Sequence, residues 1–185
     1  MMGDSMRVAI YCGSKTGNNP IYAEKAKELG AFLAKNDLDI VYGGSNQGLM
    51  GIVANAVLEN NGKVIGVMPN FLQWKEVTHG QITELHYVST MHERKCKMLE
   101  LADLLIALPG GAGTMDEFFD VVTLSQIGQH QKMVCLYNIN EYYRLLKLQL
   151  EYMVNEGFML QEQYESIFIV QNPEELLKII RRNNK

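Results

Sequence analysis

The sequence predicts an α/β fold: a doubly wound, mainly parallel sheet of about seven strands flanked by helices. Three observations predict it. Short β-branched or apolar runs alternate with longer amphipathic segments, glycine marks the boundaries between them, and runs such as Val8-Ala9-Ile10 and Leu104-Leu105-Ile106 are apolar on consecutive positions. Alternation of this kind is the mark of repeated βαβ units, and an unbroken apolar run signals burial on both faces, as in a parallel sheet covered by helices. The chain has 185 residues, 47% of them hydrophobic, with no linker, repeat or low-complexity stretch. One domain over residues 6–185, preceded by a flexible N-terminus at 1–5, is the expected organisation.

In chain order, the apolar run Arg7 to Tyr11 is the first strand, and the amphipathic stretch Pro20 to Lys35 the first helix. Strand Asp39 to Tyr42, helix Leu49 to Asn60 and strand Lys63 to Met68 follow. Pro69 to Thr83, with Trp74, His79 and Gly80, lacks periodicity and reads as a surface excursion. Beyond it come strand Leu85 to Val88, helix Met91 to Ala102, strand Leu104 to Leu108 and helix Met115 to Ile127. Strand Met133 to Tyr137, helix Glu141 to Asn155, strand Ser166 to Val170 and helix Pro173 to Arg182 complete the expectation.

Charge and cysteine usage exclude several function classes. Seventeen Lys plus Arg against twenty-one Asp plus Glu leave a formal charge of -4, without the basic surplus that holds a protein on nucleic acid or an anionic membrane. No apolar run approaches the roughly 20 residues of a spanning helix, and Met1 to Ser5 has no signal-like character. A cytoplasmic protein with neither nucleic-acid nor membrane partners is expected. Cys12, Cys96 and Cys135 are odd in number and widely spaced, which points to reduced, mostly packed thiols and no metal site.

In a doubly wound sheet, ligands bind beyond the carboxyl ends of the strands, and three loops there are informative. They are Cys12-Gly13-Ser14-Lys15-Thr16-Gly17-Asn18-Asn19, Gly43-Gly44-Ser45-Asn46-Gln47-Gly48 and Pro109-Gly110-Gly111-Ala112-Gly113-Thr114. Glycine lets backbone amides approach a ligand, and the following helix presents its positive dipole end, so a bound anion such as phosphate fits the pattern. The third loop lacks the Gly-Lys-Ser/Thr of a Walker A loop and the full GxGxxG fingerprint, which removes the main support for ATPase and NAD-dependent readings. Spacing alone leaves Glu117 open: Thr114 and Glu117 stand three apart, as do Thr90 and Glu93, and either pair could be a capping box. Arg94 and Lys95 sit near a helix start, where cations oppose the dipole unless an anion is near, whereas Lys97 reads as a solvated residue paired with Glu93. Met50, Phe118, Phe119 and Leu124 could supply an interface, although helical apolar stripes more often serve the core.

These residues carry a resemblance. Pro109-Gly-Gly-Ala-Gly-Thr-Met-Asp-Glu117 matches a PGGxGTxxE motif and Met91-His-Glu-Arg-Lys95 an MxxRK motif, and both resemble the Lonely Guy family of cytokinin riboside 5'-monophosphate phosphoribohydrolases, long labelled lysine decarboxylases. The similarity runs from about Arg7 to Ile180 and includes the Cys12-Gly-Ser turn, Tyr42-Gly-Gly, Gly48-Leu-Met-Gly51, Thr83-Glu-Leu-His86, Glu156-Gly-Phe158 and Pro173-Glu-Glu-Leu-Leu177. The chain departs from the common pattern at Ser45, Ala112, Leu124 and Met133, none of which removes a charged site residue.

The resemblance implies a Rossmann-like homodimer that hydrolyses the N-glycosidic bond of a nucleoside 5'-monophosphate, AMP or an N6-substituted cytokinin ribotide, releasing free base and ribose 5-phosphate without metal or organic cofactor. It places the catalytic pair on Arg94 and Glu117. Substrate contacts are expected at Glu76, Met91, Arg94, Lys95 and Thr123, along Gly110, Gly111, Ala112, Gly113, Thr114, Met115, Asp116 and Glu117, and at Gly13, Ser14, Gly43 and Gly44. In that reading Glu117 stabilises the oxocarbenium-like ribose or activates water, while the glycine turn holds the phosphate. A non-catalytic nucleotide sensor or carrier on the same fold is the alternative. Lysine decarboxylation would need pyridoxal phosphate on a lysine, for which the sequence shows no framework.

Overall fold

The computed structural model describes residues 5–73 and 78–183. Seven strands form one sheet: β1 (Arg7–Tyr11), β2 (Asp39–Tyr42), β3 (Val64–Pro69), β4 (Glu84–Val88), β5 (Leu104–Ala107), β6 (Met133–Tyr137) and β7 (Ile167–Val170). Their spatial order is β4-β3-β2-β1-β5-β6-β7, and every pairing is parallel. The winding therefore reverses between β1 and β5, which makes their carboxyl ends the crevice where this architecture receives ligands. Tyr11 stands opposite Ala107 in the register, so the two loops that follow leave the sheet side by side.

Helices α1 (Ile21–Lys35), α2 (Gly48–Glu59) and α7 (Pro173–Asn183) cover one face; α3 (Met91–Leu101), α4 (Ala112–Gln126) and α5 (Arg144–Asn155) cover the other. A short helix α6 (Gln161–Glu165) precedes β7. Alternate strand residues feed two cores: Val8, Ile10, Ile40 and Ile106 pack on α1 and α2, whereas Ala9, Tyr11, Val41 and Leu105 pack on α3 and α4. That division is why the strands are apolar at consecutive positions. Gly30 permits α1 and α2 to touch, since a Cβ there would fall 2.6 Å from the Val53 carbonyl oxygen.

The strands and six long helices lie where the sequence puts them, with shifted ends. α4 begins at Ala112, three residues earlier than expected, so the glycine-rich motif itself forms the first helical turn. α5 begins at Arg144 instead of Glu141, because Asn140 and Glu141 adopt left-handed backbone angles (φ 50° and 57°) that interrupt a helical ladder. α6 has only five residues, too few to produce a periodic signal. Met50 and Phe118 are core residues, and Cys12 and Cys135 are buried while Cys96 is exposed, in keeping with mostly packed thiols. Lys97 pairs with Glu100 at 3.0 Å and not with Glu93, whose carboxylate instead accepts the Ser89 amide. The flexible N-terminus expected at 1–5 lies, apart from Ser5, outside the described residues; the Ser5 hydroxyl donates to Asp39. Among the described residues, no helix is long and apolar enough to cross a membrane.

Candidate functional site

A cavity of about 690 Å³ opens at the carboxyl ends of β1, β2 and β5. Its walls come from all three glycine-rich loops together with Met91 and Arg94 of α3, and Thr114 and Glu117 of α4. Gly13 ties the β1 loop to both neighbours: its amide donates to the Pro109 carbonyl of the β5 loop at 3.1 Å, and its carbonyl accepts the Leu49 amide at the start of α2 at 3.1 Å. Gly48, at φ 57°, packs so closely that a Cβ there would fall 2.3 Å from the Ser14 carbonyl carbon.

The start of α4 differs from that of α3. On α3, Thr90 is a genuine cap whose hydroxyl accepts the Glu93 amide at 3.0 Å. α4 is preceded by Gly111, no side chain caps it, and the helical ladder begins with the Met115 amide on the Gly111 carbonyl. Thr114 is therefore a buried third helical residue, and the Thr114–Glu117 capping box is excluded. The amides of Ala112, Gly113 and Thr114 precede the first helical bond and lie where the positive dipole end meets the cavity. Gly111 and Gly113 have ordinary φ, and a Cβ on either would meet nothing within 4 Å. Neither backbone conformation nor packing among the described residues calls for glycine there, and both residues line the cavity.

Arg94 is a buried cation, 5% exposed, reaching from α3 under the second glycine loop. Its Nη2 donates to the Gly43 carbonyl at 2.9 Å, while its Nε is buried without a hydrogen-bond acceptor among the described residues. Gly43 makes this possible, because a Cβ there would fall 1.8 Å from Nη2. Arg94 and Glu117 act on the same buried thiol: burial pushes the Cys12 pKa up, Glu117 pushes it further and Arg94 opposes. Burial thus favours the protonated form of Cys12, a wall residue of the cavity. Among the described residues, the charged side chains lining the cavity are Lys15, Arg94 and Glu117. No group of three or more His, Cys, Asp or Glu among them is placed to hold a metal ion.

The family model and the curated relatives point to one family. Residues 50–180 match the family model described as possible lysine decarboxylase. A cytokinin riboside 5'-monophosphate phosphoribohydrolase of Rhodococcoides fascians is 42% identical over 175 residues, covering 94% of this chain and 88% of that protein. The phosphoribohydrolase LOG7 of Arabidopsis thaliana is 41% identical over 172 residues, covering 93% and 79%. The chain belongs to this phosphoribohydrolase family. Among solved structures, the molybdenum cofactor binding protein from Rippkaea orientalis matches with a TM-score of 0.74 over 100% of both chains at 18% identity, a likeness of fold alone.

In this member of the phosphoribohydrolase family, the cavity brings together Gly13, Ser14, Gly43, Met91, Arg94, Gly110, Gly111, Ala112, Gly113, Thr114 and Glu117. Other expected site residues lie elsewhere. Lys95 turns outward and contacts Asp116 at 3.2 Å and Asp120 at 3.4 Å. Burial works against its charge, yet these carboxylates prevail and its pKa is raised. Met115, Asp116 and Thr123 border a shallow depression on the outer face of α4, with Phe119 and Leu124. Gly44, at φ 78°, lies beside the cavity and accepts the His79 amide through its carbonyl. Glu76 lies outside the described residues. The structure adds wall residues that the sequence reading passed over: Tyr22, Phe71, Leu72 and Tyr142. Each is far in sequence from both motifs, so no local pattern announces it.

Proposed function

We infer that this protein is a nucleoside 5'-monophosphate phosphoribohydrolase, which hydrolyses the N-glycosidic bond of AMP or an N6-substituted cytokinin ribotide to free base and ribose 5-phosphate. The observation that carries this reading is the uncapped start of α4. Its first amides, and two glycines whose Cβ positions are vacant, open into a cavity that also holds Arg94 and Glu117. A phosphate fits the amides and the helix dipole. Glu117, one turn further along the helix, then faces the sugar and not the phosphate.

Breaking the glycosidic bond builds positive charge on the ribose ring, and a carboxylate within a partly dry cavity stabilises that state or activates the attacking water. Glu117 takes this role in the proposal. Phosphate binding, remote from the breaking bond, positions the ribose and distinguishes nucleotide from nucleoside. Arg94 supplies a fixed cation whose orientation is set by the Gly43 carbonyl, available to phosphate or ribose oxygens. Its presence with Glu117 in one cavity favours catalysis over passive carriage. We further propose a homodimer, with the α4 face around Phe119 and Leu124 in its interface, to be checked by sedimentation of the wild type and Leu124→Glu. The activity is tested with a panel of nucleoside monophosphates and their dephosphorylated forms, read by chromatography of the free base. Base release from AMP or prenylated AMP, with the nucleosides much poorer, is expected; no release from any monophosphate overturns the reading.

A further inference from the structure

Three consecutive carbonyls run into the glycine-rich start of α4, and each accepts a hydrogen bond from outside the turn. The Tyr143 hydroxyl donates to Leu108 at 2.5 Å, the Gly13 amide to Pro109 at 3.1 Å, and the Tyr142 hydroxyl to Gly110 at 2.5 Å. Both phenols come from the loop after β6, and that loop is bent to deliver them. Asn140 and Glu141 hold consecutive left-handed angles, a conformation costly for side chains larger than glycine, and the surroundings hold it in place. Buried Asn138 accepts the Tyr143 amide at 2.7 Å, and its own side-chain amide donates to Glu141 at 3.3 Å. Gln171 donates to the same carboxylate oxygen at 3.1 Å. The Tyr142 ring stands edge-on to Tyr143 at 5.1 Å and to Tyr22 at 5.7 Å, and it lines the cavity.

A planar trans peptide makes this bond consequential. The C=O of one residue and the N–H of the next point in opposite directions. Holding the Gly110 carbonyl toward Tyr142 therefore fixes the direction of the Gly111 amide. Flanked by glycines on both sides, this peptide unit has little steric resistance to rotation of its own.

We propose that Tyr142 is a positioning residue: its hydroxyl, by holding the Gly110 carbonyl, aims the Gly111 amide at the substrate phosphate. The proposal deepens the nucleotide reading of the cavity and rests on it. Tyr143 secures the Leu108 carbonyl, two residues earlier, from a buried position and serves the fold, whereas Tyr142 is 41% exposed. The hydroxyl of Tyr142 touches no reacting atom, so its loss acts on phosphate binding in substrate and product alike.

The test compares the wild type with Tyr142→Phe, which keeps the ring and removes the hydrogen bond. In the variant, KM for AMP and the inhibition constant of ribose 5-phosphate are expected to rise together by about tenfold, the scale of one charge-assisted contact, while kcat changes by less than about threefold. Binding of free adenine is expected to stay unchanged. An unaltered inhibition constant for ribose 5-phosphate overturns the proposal. A second measurement needs no variant: ribose 5-phosphate added to ¹⁵N-labelled wild type is expected to shift the Gly111 amide resonance, and an unmoved Gly111 resonance with bound ribose 5-phosphate also overturns it. A wild type that neither cleaves AMP nor binds ribose 5-phosphate is a different outcome, one that defeats the nucleotide reading itself and the proposal with it.

Discussion

On the inner side of the α3–α4 pair, Arg94 and Glu117 face a cavity rimmed by backbone amides, whereas on the outer side Lys95 is held by Asp116 and Asp120. The residue types are nearly the same, and each inner residue is the immediate sequence neighbour of an outer one. A helix turns about 100° per residue, so adjacent charges in a motif are sent to different environments. The inner pair differs in its desolvation: Arg94 is buried and oriented by the Gly43 carbonyl. On the outer side Lys95 is 14% exposed but its partners Asp120 and Asp116 are 33% and 60% exposed, so water screens the carboxylate end of the bridge. Chemistry is expected where the charges face the cavity, and modest support for the fold where they are paired with one another.

The largest expected effect separates the faces outright. Glu117→Gln is expected to lower kcat for AMP by about 10³-fold or more while nucleotide still binds, measured by base release and calorimetry. Asp116→Asn, next to it, is expected to leave kcat within about threefold. A variant at position 117 with wild-type turnover would erase the distinction. Gly43→Ala tests the orientation of the inner cation without touching its charge. Its Cβ must displace Arg94, and a fall in kcat/KM of about 10²-fold is expected, the scale of a misplaced site group.

Gly113→Ala probes the cavity from the backbone side. A Cβ there meets nothing in the chain and replaces a poor helix former, so thermal stability is expected to hold or rise slightly. KM for nucleotide is nonetheless expected to rise by about tenfold or more, because the methyl occupies space assigned to phosphate. Lys95→Ala is expected to cost between about 0 and 1 kcal/mol in denaturant unfolding and far less activity than loss of Arg94.

The smallest effect concerns the support beneath the Gly43-Gly44 turn. His79 is buried, its amide donates to the Gly44 carbonyl, and its Nδ1 accepts the Gln81 amide at 3.3 Å, which leaves Nε2–H to donate to Asn55 at 3.0 Å. Burial lowers its pKa from the ordinary value of 6.5. The unfolded chain then binds the proton more readily, so the stability tied to neutral His79 is present above about pH 6.5 and is lost as pH falls toward the lower folded value. Urea unfolding across that range is expected to show a shallower acid loss for His79→Gln than for the wild type.

The strands and the long helices were legible because an apolar run covered on both faces and a helical period are local signals. The glycine-rich turn at the start of α4 was legible as well, through glycine density before a helix. The first helical turn at Ala112 was not, since glycine and alanine carry no amphipathic pattern. Arg94 and Glu117 were reached through their motifs, but spacing alone left Glu117 divided between a cap and a site until Gly111 proved to be the residue before the helix.

By itself the sequence determined the class of sheet, the alternation of helices and the three loops at its carboxyl edge, since each depends on residues close together in the chain. Which neighbouring charge turns inward, how Gly43 seats Arg94 and how Tyr142 reaches Gly110 were decided only by tertiary structure. Those relations join segments as many as 51 residues apart. Their geometry follows from helix phase and the winding reversal between β1 and β5, which no single stretch of residues encodes.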